Sequence, residues 1–236
     1  MDDALPFRFI AITPGVDPPS PEFVRTWVDA GVAEPGRGLA VLVRMAGARL
    51  QHVVTRVRGD LAWSLFLDAC REAGFPVLAG LGYEPALRLG DALAAEPRFS
   101  GVQVRSDPSD HVLRHVRSQL DGASIVGRSC HGGEAGNGGP TRADYSCVAP
   151  IFAPKTRQMG HKKTAGGLGM LASRVGEDPE HPIFALGGVD GGTAAACMEA
   201  GAYGLAGIST FFGERAAVRE HVRRLCDAVT ASAVAR

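Results

Sequence analysis

The chain has 236 residues, 45% hydrophobic and 21% charged, enough for one sizeable buried core in one domain over residues 1–236. Its 25 Lys and Arg balance 25 Asp and Glu, so neither a basic face for nucleic acid nor an acidic tail for a basic partner is expected. No apolar run approaches the ~20 residues of a membrane span, and the opening MDDALPFRFIAIT lacks the layout of a signal peptide; a cytoplasmic protein off the membrane is expected, with a homo-oligomer left open.

Phe9 to Thr13 (FIAIT) reads as the first strand, closed by Pro14-Gly15. Pro21 to Val32 has helical spacing after a Ser20 cap. Gly38 to Arg44 is the second strand, with Arg44 at its end. Met45 to Val57 reads as a loop leading to a helix, and Leu61 to Ala73 as a clear helix with Leu61, Leu65 and Ala69 on one face. Pro76 to Ala79 is the third strand, Pro85 to Ala94 a helix, and Gly101 to Val104 the fourth strand. Ser109 caps a helix to Gln119. Ser124 to Arg128 is the fifth strand, ending in Ser129-Cys130-His131. The glycine-rich GGEAGNGGPTRA that follows is a poor helix, so one unit is expected to be degenerate. Asp144 to Val148 is the sixth strand. Ala149 to Thr164 is a long polar loop carrying Lys155, Arg157, Lys162 and Lys163, the kind of loop that serves as a lid. Gly167 to Val175 is a helix.

Pro182 to Gly213 then reads strand, glycine turn, helix, strand, glycine turn. Ile183 to Leu186 ends in Gly187-Gly188, Thr193 to Ala200 is helical, and Tyr203 to Ile208 ends at Ser209. Two adjacent turns that expose backbone N–H groups make a phosphate cup, because glycine lets the backbone approach an anion closely. The same glycines would also serve plain tight turns; the paired arrangement favours the cup. Glu214 to Val229 is the last helix. Some eight alternations of strand and helix argue a (β/α)8 barrel, α/β in class, with an open doubly wound sheet as the runner-up.

In such a barrel the chemistry sits just after the strands. Those positions hold Thr13, Arg44, Gln103, Arg105, Ser129, His131, Thr156, Arg157, Gly188 and Ser209. Arg44 offers a fork of donors for an anion, or a surface ion pair. His131 offers a proton shuttle near neutral pH, or a structural histidine. The loop cations suit pyrophosphate, or merely solvent. His111 and His115 have the spacing of two metal ligands but no third, and read as a solvated helix face. The five cysteines, Cys70, Cys130, Cys147, Cys197 and Cys226, form no CxxC pair and read as buried reduced thiols.

Ile125–His131 (IVGRSCH), Ala143–Phe152 (ADYSCVAPIF), Ala185–Gly188 (ALGG) and Gly201–Ser209 (GAYGLAGIS) resemble the thiamine-phosphate synthase/TenI family in order and spacing. The first half resembles it loosely, through FIAIT and the strand ending in Arg44. The resemblance implies a barrel whose small-molecule partner is a thiazole phosphate. Synthases of the family join an aminopyrimidine pyrophosphate to it and release pyrophosphate with Mg²⁺; TenI-type members aromatise a thiazole carboxylate phosphate by proton transfer.

This chain departs from the synthase pattern. The Asn-Asp after the third strand is replaced by Gly80-Leu81-Gly82-Tyr83, and a Lys two places after Arg44 by Ala46. The Thr-x-Thr-Lys run becomes Pro154-Lys155-Thr156-Arg157. Asp107 is the one possible metal ligand. A site without the metal carboxylate and the Lys is poorly fitted to stabilise departing pyrophosphate. The leading expectation is therefore proton transfer with His131 as catalyst and no cofactor. The synthase reaction, with Mg²⁺, is the alternative, and a non-catalytic phosphate-binding relative a third. Gly187, Gly188, Ile208, Ser209, Arg44, Ser129, Thr156, Arg157 and Gly167 make up the expected binding set.

Overall fold

The structure, a computed structural model, describes residues 5–45, 49–82, 89–131, 142–153 and 164–234. Eight strands run in chain order: β1 (Phe9–Ile12), β2 (Leu39–Val43), β3 (Val77–Leu81), β4 (Phe99–Val104), β5 (Ile125–His131), β6 (Tyr145–Ala149), β7 (Ile183–Leu186) and β8 (Gly204–Gly207). Each pairs in parallel with the next, and Phe9 of β1 pairs with Leu205 of β8, so the sheet closes into a barrel. The expected (β/α)8 architecture is the observed one, and the open sheet is excluded.

Side chains alternate between two cores, as the two-residue strand period requires. Ile10, Leu42, Leu78, Tyr145, Cys147, Phe184 and Ala206 fill the barrel interior. Val41, Val77, Val102, Val126 and Val148 face the helices. Those helices are α1 (Glu22–Asp29), α2 (Leu50–Gly59), α3 (Leu61–Glu72), α4 (Leu89–Ala95), α5 (Asp110–Ser118), α6 (Gly167–Glu177), α7 (Ala194–Glu199) and α8 (Arg215–Val234). The Ser109 cap of α5 is present, its hydroxyl accepting from the Val112 amide. Among the described residues no helix is long and apolar enough to cross a membrane.

The helix expected to follow the loop after β2 is α2, burying Leu50, Val53, Val54 and Val57. Two expectations need correction. In α3 the face through Leu61 and Leu65 is the outer one, 75% and 53% exposed. The buried face is Trp63, Phe66, Leu67 and Cys70, because the aromatic rings carry more apolar area to bury than the leucines. Strand β5 runs through Ser129 and Cys130 to His131, since Ser129–His131 keep pairing with Cys147–Ala149 of β6. The glycine-rich stretch 132–141 lies outside the described residues. All five cysteines are free thiols, and Cys130 alone is only half-buried.

Candidate active site

The turns after β7 and β8 are tied to each other and to the loop after β6. Gly187 and Gly188 both take left-handed backbone angles, φ 93° and 66°. A Cβ on Gly187 would meet Pro150 Cα at 2.8 Å, and one on Gly188 would meet Phe152 Cβ at 2.7 Å, so only glycine lets the two loops approach. The Ile151 amide donates to Leu186 O and the Phe152 amide to Gly187 O, both at 2.9 Å. The buried Thr210 hydroxyl donates to Val189 O at 2.6 Å, joining the second turn to the first. Trp27 anchors the second turn from below by donating its indole N–H to Phe211 O at 3.0 Å, with edge contacts to Phe211 and Phe212. The carbonyls of Leu186, Gly187, Val189, Ile208 and Phe211 are thus engaged, while no described residue accepts from the Gly188 or Ser209 amide. Two such amides side by side can bind an anion.

His131 ends β5 with its side chain 30% exposed. Asp107, from the loop after β4, accepts from the His131 amide at 2.6 Å and meets its Nδ1 at 2.7 Å. Ser106 and Asp107 both take left-handed angles, φ 66° and 51°, strained for residues other than glycine. That turn places the Asp107 amide on Ser129 O at 3.1 Å and its carboxylate on His131. With Nδ1 held as donor to a carboxylate, Nε2 is the ring atom left to exchange a proton. Both oxygens of Asp107, the residue considered as a metal ligand, meet His131.

Arg44 follows β2, and its amide donates to the Thr13 hydroxyl at 2.9 Å. Burial, and then the Arg105 charge, lower its pKa below the ordinary guanidinium value. Arg105, which follows β4, holds a buried Nε without a partner. Ser129 faces the interior, its hydroxyl accepting from Gln103 Nε2 at 3.0 Å. Gln103 Oε1 and the Tyr145 hydroxyl are buried and unpartnered nearby, and Gly127 leaves the room both of them occupy. Gly167, expected to bind phosphate, has its amide on Ile151 O at 3.0 Å, so it fastens α6 to the loop after β6. Thr156 and Arg157 lie outside the described residues.

The Asp107–His131 pair was missed by sequence reasoning, although the Ser-Asp-Pro run after β4 was a turn signal. A cleft of about 480 Å³ opens at the other end of the barrel, between Arg8, Arg37, Phe75 and Tyr203. Arg8 there lies 4.4 Å from the Tyr203 ring centre and Arg37 pairs with Glu34 and Thr230, so its cations are already satisfied. The strand carboxyl ends are the better site.

Comparison with known proteins bears on which barrel this is. The family model described as thiamine monophosphate synthase matches residues 92–211. The thiamine-phosphate synthase of Bacillus mycoides is 34% identical over 164 residues, covering 69% of this chain and 68% of that protein. The chain belongs to the thiamine-phosphate synthase/TenI family. The synthase of Alcanivorax borkumensis is 30% identical over 125 residues, 52% of this chain and 55% of that one. The match thus spans a little over half the length of the first curated relatives, 55% to 58%. Among solved structures, a thiamine phosphate pyrophosphorylase from Pyrococcus furiosus superposes over 96% of both chains with a TM-score of 0.61 at 18% identity, a likeness of fold.

Among the described residues, the Mg²⁺ that the family's synthase pattern implies finds no donor set. Among the described residues no three His, Cys, Asp or Glu side chains cluster to hold a metal ion. The end of β3 offers Gly80, Leu81 and Gly82, none with an oxygen-bearing side chain.

Proposed function

We propose that this protein is an enzyme of thiamine biosynthesis, residues 1–236 acting as one barrel. It holds the phosphate of a thiazole phosphate on the amides of Gly187, Gly188, Ile208 and Ser209. It joins that thiazole to an aminopyrimidine pyrophosphate and releases pyrophosphate. The observation that carries the reading is the pair of unengaged amides, Gly188 and Ser209, in two turns held together by Thr210. The name shared by the curated relatives supports the reaction. The test is incubation of the purified protein with both substrates and detection of thiamine phosphate by chromatography. Absence of that product from folded, phosphate-binding protein would refute the joining reaction.

A second reading has its own observation. The Asp107–His131 pair is built for proton exchange. It supports proton transfer on a thiazole carboxylate phosphate held in the same cup. Conversion of that compound to its aromatic isomer, without thiamine phosphate formation, would select this reading over the first.

A further inference from the structure

The outer wall of the barrel changes character between β5 and β6. Val126 and Val148 face the helices there. Two residues away along each strand, the same face carries Arg128 on β5 and Ser146 on β6, paired in register. Among the described residues no helix lies between these two strands, and Arg128 is only half-buried. Its Nε donates to the buried Ser146 hydroxyl at 2.7 Å. Ser146 in turn gives its proton to Nε2 of His181, 2.8 Å away and just ahead of β7. Burial and the Arg128 charge keep that ring neutral at pH 7, so its own hydrogen sits on Nδ1. The two acceptors that face one another, Ser146 Oγ and His181 Nε2, are both engaged. What the cluster still presents is donors, the Nη groups of Arg128 and the Nδ1–H of His181. The carboxylates nearby are taken elsewhere: Asp144 pairs with Arg117 at 2.7 Å and Glu177 with Arg174 at 3.0 Å. A half-buried guanidinium without a counterion is unfavourable, and donors without acceptors suit a ligand that only accepts.

We propose that Arg128 and His181 form an oxyanion site on the outer wall of the barrel, fitted to a phosphate group. The planar guanidinium takes two phosphate oxygens at once, and the imidazole N–H takes a third. Free phosphate and the phosphate ester of a small molecule present the same oxygens. The strand period puts Arg128 on the opposite face of β5 from Ser129 and His131, so the site is separate from the cup at the mouth. It stands whichever reaction the mouth performs. A bound anion also acts on His181. Its pKa is pushed down to about 4 by burial and then by Arg128, while Asp178 and Asp144 act more weakly in the other direction. A phosphate beside Arg128 offsets that charge and raises the pKa. By linkage, protonation of the ring tightens the phosphate.

The experiment is long-range proton–nitrogen NMR of the histidine-labelled protein, titrated with inorganic phosphate and again with methyl phosphate. Loss of one ring's signals in His181→Gln assigns that residue, and the His131 signals report the mouth separately. At pH 7 the His181 signals should shift and saturate, and at saturating phosphate the pKa of the ring should rise above about 4. Tighter binding of the ester identifies a small-molecule phosphate as the occupant, and tighter binding of the free ion identifies phosphate itself. Arg128→Gln should weaken the binding about tenfold or more, the scale of a lost charge-assisted hydrogen bond. Arg128→Lys, which serves if the glutamine variant fails to fold, keeps the charge but loses the fork and should bind more weakly than wild type. Phosphate that leaves the His181 signals in place, or shifts them with wild-type affinity in a folded Arg128 variant, overturns the site. Phosphate that moves the His131 signals alone has bound at the mouth and overturns it too.

Discussion

Asp107 grips His131 at two points, taking the main-chain amide on one carboxylate oxygen and Nδ1 on the other, at 2.6 and 2.7 Å. The two residues are 24 apart in the chain and come from adjacent strand ends, β4 and β5. The grip sets the ring's orientation and its tautomer together.

If the ring exchanges protons with a thiazole carboxylate phosphate, His131→Asn should lower turnover by about 100- to 10,000-fold. Phosphate-ligand affinity should stay near wild type. Asp107→Asn should lower turnover less, with KM nearly unchanged, because it loosens the ring without removing it. Steady-state kinetics on the two variants check this; wild-type turnover in His131→Asn would exclude the histidine as catalyst.

The cup can be tested through the backbone alone. Ser209 occupies the second position of a turn closed by the Phe211 amide on Ile208 O at 3.0 Å, a place where proline fits. Ser209→Pro removes the N–H together with the hydroxyl, and Ser209→Ala, which removes the hydroxyl alone, isolates the amide. Thiazole phosphate affinity should fall about five- to tenfold, the scale of one hydrogen bond, in calorimetry. A valine at Gly188 is the poorer test, since its side chain would strike Phe152 and Ala153.

Thr210→Val keeps the shape of a buried side chain and deletes its bond to Val189 O. The orphaned carbonyl should cost about 1–3 kcal/mol in urea unfolding. Phosphate affinity should drop as well, because the two turns are no longer fastened. Unchanged stability would show that another donor reaches Val189.

His181 gives the protein a pH dependence. Burial, and then the Arg128 charge, push its pKa down to about 4, against smaller opposing effects of Asp178 and Asp144. The Ser146 hydroxyl accepts from Arg128 Nε at 2.7 Å, which leaves its proton to donate to His181 Nε2 at 2.8 Å. The neutral ring is the one that fits. The unfolded chain, with an ordinary histidine pKa of about 6.5, binds the proton first as pH falls. The contribution is therefore complete above about pH 6.5 and lost as pH falls to about 4, on the order of 1–3 kcal/mol. Urea midpoints of wild type and His181→Gln at pH 7 and pH 4.5 check it: the variant should lose less between them.

Helix α3 separates what periodicity shows from what it hides. Leu61 and Leu65 have the spacing of a buried stripe, yet they face outward. Leu65→Ala should change stability by no more than about 0.5 kcal/mol, whereas Phe66→Ala should cost about 3–5 kcal/mol. Equal losses in denaturant unfolding would contradict the orientation. In an all-round apolar helix the spacing admits two stripes, and the partner surface selects one. Here that surface is the aromatic cluster of Trp27, Trp63, Phe66 and Phe212.

The barrel and the two glycine turns were legible in the sequence because they rest on local rules. Short apolar strands such as Ile183–Leu186, helix caps such as Ser109 and glycines at turns act within a few residues of themselves. Closure then follows from strands and helices that alternate. The pairs that give the mouth its chemistry were not legible. Asp107 meets His131 and Thr210 meets Val189 only once the strands are in register and the barrel is closed. Register decides which side chains face inward, and closure decides which strand ends are neighbours; both are set by packing across the whole sheet rather than by any one stretch of chain.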